Sequence, residues 1–284
     1  MNQEKVAVDV EGRTLTLSNL PKVLYPEAGF TKAEVIDYYR QIAPVLVPHL
    51  ENRPLTLKRY PNGVASMFFF EKNAGRSTPE WVKTVGIWGN GRGEDLQFIL
   101  CNDAATLVYL ANLAACCKAA VVLREYFDRA GLISFAKTSG NKGLQLYVPL
   151  NTPTTYDDTK AWARGVAEHF EARFPEFFIS QMKKSLRAGK IFVDWSQNDA
   201  NKTTISVYSL RARERPTVST PVSWEEIEEV ARSGDARPLI FEAEQVVQRV
   251  KRDGDLFAPT LTLEQQLSDF PRAETKKRGR SGFR

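Results

Sequence analysis

The stretch KAAVVLREYFDRAGLISFAKTSGNKGLQLYVPL, residues 118–150, decides the fold. Apolar residues at helical spacing predict a helix over 118–130. Strands are predicted over 133–137 and 144–150, and the two glycines of Ser139-Gly140-Asn141-Lys142-Gly143 permit a tight turn between them. Downstream, Trp162, Val166, Phe170 and Phe174 recur every four residues and predict a helix over about 157–173, followed by a strand over 190–195. The order α-β-β-α-β is a ferredoxin- or RRM-like βαββαβ unit without its first strand.

Toward the N-terminus, residues 6–17 alternate as a hairpin that turns at Glu11-Gly12. Thr31 and Glu34 make a capping box for a helix to about residue 47, with Val35, Tyr38, Tyr39, Ile42 and Leu46 on its buried side. Strands are expected over 55–60, 67–72 and 95–101, then a helix capped by Asp103. Toward the C-terminus two helices are expected, one capped by Ser223 and Glu226 and one over about 241–251. The expected class is α+β. An N-terminal α/β subdomain (1–117) packs on an RRM-like sheet lacking its first strand (118–270, with the C-terminal helices), and a basic disordered tail follows (271–284).

Composition narrows the function. The 284 residues are 43% hydrophobic and 26% charged, which excludes wholesale disorder. No apolar run could span a membrane and no signal-peptide pattern is present, so a cytoplasmic protein is expected. Three cysteines and two distant histidines, His49 and His169, argue against a disulfide framework or a zinc site. The net charge is only +5, yet between Gln181 and Arg213 seven basic residues stand against two acidic ones. That local +5 alternates with Phe192, Trp195 and Tyr208, which favours an anion-binding face over a merely solvated one.

The turn at 139–143 has two readings. It is a glycine-rich hairpin, or a cradle whose backbone N–H groups, Ser139 hydroxyl and Lys142 ammonium face a phosphate. A triphosphate held by Lys142 and Arg187, with a metal on Asp194, is chemically coherent.

Longer strings carry a resemblance: Leu17-Ser18-Asn19-Leu20-Pro21-Lys22-Val23-Leu24-Tyr25-Pro26, Lys58-Arg59-Tyr60-Pro61-Asn62-Gly63, Phe69-Phe70-Glu71-Lys72, Lys137-Thr138-Ser139-Gly140, residues 184–197, residues 202–211 and Asp253-Gly254-Asp255-Leu256-Phe257. Together they resemble the polymerase domain of bacterial DNA ligase D, a branch of the archaeo-eukaryotic primase superfamily. The resemblance implies a primase-polymerase-like fold and nucleotide addition at double-strand breaks during non-homologous end joining. It implies a pocket for a DNA 5′-phosphate at Asn19, Lys22 and Lys32, and template or backbone contacts at Lys58, Phe69 and Phe70. A plain core role is the other reading of the two phenylalanines. It further implies nucleoside triphosphate ligands at Ser139, Lys142, Gly143, Gln145, Arg187, Gln197, Arg211 and Arg213. Mn2+ or Mg2+ is the family's cofactor, with Asp194 as a metal carboxylate. Candidate partners are 5′-phosphorylated duplex ends, a nucleotide, a Ku-like protein and a separate ligase, in a bacterial, nucleoid-associated setting.

Two departures stand out. The family's metal site needs an Asp-x-Asp on the first strand of the RRM-like unit, and no such pair occurs where it is required. Instead Ala115-Cys116-Cys117 runs straight into Lys118, so a few dozen residues are absent. Independently, Gln145 stands where the family has a histidine on the nucleotide phosphates, and glutamine carries no charge. One aspartate cannot clamp two cations, so impaired catalysis is expected. The alternatives are an active nucleotidyltransferase whose strand is missing only from the sequence as read, and a non-functional remnant.

Overall fold

Alternating residues at the start of the chain meet a turn that tolerates positive φ. Glu11 (φ 52°) and Gly12 (φ 74°) reverse the chain between β1 (Lys5–Val10) and β2 (Arg13–Ser18), and the Gly12 N–H donates to Asp9 Oδ1 at 3.1 Å. The computed structural model describes residues 5–60, 63–74, 78, 80–88, 95–100, 120–140, 143–187, 190–233 and 237–267. They fall into two compact units, 1–149 with 205–263 and 150–204 with 264–284.

In the first unit, β3 (Val23–Tyr25) pairs with Phe30–Thr31 and leads into α1 (Lys32–Leu50). The expected capping box is present, with the Thr31 N–H donating to Glu34 Oε2 at 2.7 Å and the Glu34 N–H to Thr31 Oγ1 at 3.3 Å. Then β4 (Leu57–Arg59) and β5 (Phe69–Glu71) form an antiparallel ribbon. A strand not expected from sequence, β6 (Thr84–Trp88), pairs with β7 (Asp95–Leu100), whose other edge takes Pro54–Leu55. The helix expected from Asp103 and the boundary at 117/118 lie outside the described residues, as does the tail from 268.

Next, α2 (Ala120–Arg129) leads to the antiparallel hairpin of β8 (Phe135–Thr138) and β9 (Leu144–Tyr147). Pro221–Val222 adds on the far side of β8. Among the described residues β9 is therefore an edge, the side on which the first strand of a βαββαβ unit would pair.

The second unit packs α3 (Tyr156–Arg173) against a two-residue parallel pair, Phe178–Ile179 with Ile191–Phe192. The strand expected over 190–195 thus stops at Phe192 and pairs elsewhere than with β8 and β9. Asp194 ends it by accepting from Ser196 Oγ (2.6 Å) and Gln197 Nε2 (2.9 Å), which closes a 3-10 turn at Trp195–Gln197.

Back in the first unit come α4 (Trp224–Ser233) and α5 (Ala243–Asp253). Its main core joins Tyr38, Tyr39, Ile42 and Leu46 of α1 to Val207, Leu210, Val218, Val246 and Phe257. A smaller cluster joins Ala136 and Val222 to Ile227 and Val230 of α4. The α+β class expected from sequence holds.

Candidate DNA-end and nucleotide site

Asn19, Lys22 and Lys32 are braced by backbone hydrogen bonds. The Lys22 N–H donates to the Asn19 carbonyl (3.0 Å) and the Lys32 N–H to the Lys22 carbonyl (2.8 Å). Asn19 turns the chain at φ 56°, a conformation its short amide tolerates. Lys32 Nζ donates to the Ser18 carbonyl at 2.8 Å. Burial first, then the charges of Lys22 and Arg59, lowers the Lys32 pKa. Cations gathered in this way could be offset by an anion. Arg59, which also pairs with Glu71 at 2.7 Å, was not singled out in the sequence, although its string was.

On the β4–β5 ribbon Lys58 stands opposite Phe70. Its Nζ lies 3.6 Å from the Phe68 ring centroid, 5.1 Å from that of Tyr60 and 5.7 Å from that of Phe70. Phe70 is 61% exposed, so its ring is no core residue. The Phe69 side chain lies outside the described residues. Phe68 and Tyr60 join the aromatic cluster without having been read from sequence.

The nucleotide candidates divide between the units. In the first, Ser139 and Arg211 are both buried, and among the described residues neither Ser139 Oγ nor Arg211 Nε has a hydrogen-bond partner. Gly140 (φ 66°) brings the two together, because a Cβ there would stand 2.6 Å from the Val218 carbonyl oxygen and 2.8 Å from Arg211 Cγ. The turn closes with the Ser139 N–H donating to the Gly143 carbonyl at 3.4 Å. Burial, then Arg213, pushes the Arg211 guanidinium pKa down. Lys142 lies outside the described residues. In the second unit the Arg187 guanidinium lies over Phe192 at 3.6 Å, and exposed Asp194 holds Ser196 and Gln197.

A buried network missed in the sequence pins the segment that ends at Arg211. Asp255 Oδ1 accepts from the Tyr208 hydroxyl (2.7 Å) and the Phe257 N–H (2.8 Å), and Oδ2 lies 2.9 Å from His49 Nε2. Tyr208 sits at φ 59°, its carbonyl accepts from the Tyr38 hydroxyl (2.7 Å), and the Leu210 N–H donates to Tyr39 (2.8 Å). Burial raises the Asp255 pKa, but hydrogen bonds from His49, Tyr208 and Phe257 outweigh it and hold the carboxyl below its ordinary value.

Among the described residues the donor set does not fit a pair of divalent cations. Among the described residues no three His, Cys, Asp or Glu side chains gather to hold a metal, and Asp194 brings a single carboxylate, which accepts from Ser196 and Gln197. No helix among them is long and apolar enough to cross a membrane.

A family model described as LigD, primase-polymerase domain, matches residues 31–116 and 111–257. The chain belongs to the LigD primase-polymerase family. A LigD of Mycolicibacterium smegmatis is 38% identical over 278 aligned positions, covering 86% of this chain and 35% of that protein. One of Mycobacterium tuberculosis H37Rv is 36% identical over 308 positions, covering 94% and 39%. Both carry the name multifunctional non-homologous end joining protein or DNA repair protein LigD, and this chain spans less than half of their length. A solved structure, the polymerase domain from M. tuberculosis ligase D in complex with DNA, matches with a TM-score of 0.77 at 33% identity, over 88% of this chain and 99% of that one.

The LigD alignments are longer than the residues this chain brings to them. Since 94% of 284 residues is about 267, about 41 of the 308 aligned M. tuberculosis positions have no counterpart here. The same arithmetic leaves about 34 of the 278 M. smegmatis positions unmatched. The family match itself breaks at 111–116, beside the junction at Cys116-Cys117.

Proposed function

We propose that this chain serves end joining as a DNA-end-binding relative of the LigD polymerase domain, with impaired nucleotide transfer. Asn19, Lys22 and Lys32 take the 5′-phosphate of a duplex end, aided by Arg59. Lys58, Phe69 and Phe70 contact the template strand, by charge and by ring stacking. Ser139, Lys142, Gly143, Gln145, Arg187, Gln197, Arg211 and Arg213 take a nucleoside triphosphate. Residues 1–117 carry the end-binding part and 118–270 the nucleotide-binding part, with a Ku-like protein and a separate ligase as partners in the bacterial cell.

The carrying observation is the loop that backbone hydrogen bonds brace around Asn19, Lys22 and Lys32, where burial and then the charges of Lys22 and Arg59 lower the Lys32 pKa and a phosphate dianion would offset the repulsion. The loss of transfer follows from metal chemistry. In-line phosphoryl transfer with two cations needs carboxylates that clamp both, and Asp194 alone, where Mn2+ or Mg2+ would bind, cannot do so. Competition binding between duplexes with a recessed 5′-phosphate and a 5′-hydroxyl tests the reading. Preference for the phosphate supports it, and equal affinity removes it.

A further inference from the structure

Lys137 on β8 is fully buried, yet among the described residues no carboxylate pairs with it. Its Nζ donates to Gln145 Oε1 (2.5 Å), Ser219 Oγ (2.9 Å) and the Ile205 carbonyl (3.1 Å), and lies 5.6 Å from the Tyr147 ring centroid. Three neutral acceptors satisfy the hydrogen bonds of an ammonium without cancelling its charge. The other buried cation of this unit's nucleotide set, Arg211, is close enough to add, after burial, to the lowering of the lysine pKa. Lys137, Arg211 and a serine hydroxyl without a hydrogen-bond partner among the described residues are thus buried in one unit, and an anion bound there would favour the charged form of the lysine that burial disfavours.

Lys137 and Gln145 are direct cross-strand partners, so their side chains share one face of the β8–β9 hairpin. Because Lys137 occupies Oε1, the Nε2 amide is the donating end left over.

We propose that Lys137 and Gln145 act as one unit at the triphosphate site, the lysine supplying the charge and the glutamine it aligns supplying the donors. Together they replace the histidine that the family resemblance places at 145. This rests on reading Ser139 and Arg211 as triphosphate ligands. Lys137 is then a positioning residue as well as a source of field.

ATP binding by titration calorimetry, with Tm measured alongside, tests the unit in the full chain. Gln145→Glu sets a carboxylate on Lys137, so ATP affinity falls about tenfold while Tm holds or rises. Lys137→Met weakens ATP comparably, and Gln145→Glu decides alone where Lys137→Met does not fold. A merely structural pair would make affinity follow Tm, which contradicts the proposal. If Gln145→Glu binds ATP as tightly as the unaltered protein while Arg211→Met weakens it, the site stands and the unit falls. Failure of the unaltered chain to bind ATP overturns both.

Discussion

Lys32 gives up hydration to burial and feels the charges of Lys22 and Arg59, so a phosphate dianion bound there, as proposed, would offset their repulsion. Lys22→Ala and Lys32→Ala are each expected to weaken binding of a 5′-phosphorylated end by about tenfold, the scale of a charge-assisted hydrogen bond, and to leave a 5′-hydroxyl end nearly unaffected. Competition assays with the two ends read this directly. A lowered lysine pKa means that the ammonium deprotonates earlier as pH rises. The phosphate preference should therefore decay on the alkaline side before the ordinary lysine value of 10.5. At Asp255 the sign is opposite. Its carboxyl is held below 3.8, so it contributes stability above that value and loses it as pH falls through the lower folded value. Asp255→Asn should cost about 2–3 kcal/mol in urea unfolding at pH 7, with the difference from the unaltered protein closing as the medium is acidified below 3.8.

The turn between β8 and β9 depends on a glycine at positive φ against which Arg211 packs. Gly140→Ala should destabilise the chain by more than about 1 kcal/mol and lose ATP binding together with stability, as thermal melts and calorimetry would record. Elements governed by local rules were legible in the sequence. The Thr31 and Glu34 capping box fixed where α1 starts, and the Glu11-Gly12 pair fixed the first hairpin. Elements whose local pattern is weak or misleading were not. The strand β6 contains Gly86 and owes its existence to pairing with β7, while residues 190–195 carry the strand-like apolar run Ile191-Phe192-Val193 but yield to the side-chain bonds of Asp194. Among site residues, basic loops were visible in the sequence, whereas Asp255 was not. Its histidine partner lies 206 positions away, and nothing local marks an acid that will be buried.

Across the whole molecule, family membership and the proposed loss of chemistry rest on different observations. The match to the LigD primase-polymerase family and the TM-score of 0.77 fix the fold. The break in that match at 111–116, with about 34 to 41 aligned positions unmatched, bears on catalysis. The loop proposed to take the 5′-phosphate, residues 19–32, lies away from that break in sequence, so end binding and transfer need not be lost together. The most direct measurement is nucleotide incorporation on a gapped duplex with a 5′-phosphate, with Mn2+ and ribonucleoside triphosphates, comparing the unaltered protein with Asp194→Ala. Bound DNA with no extension above the Asp194→Ala level is the expected result. Steady extension that Asp194→Ala abolishes would contradict the loss of catalysis.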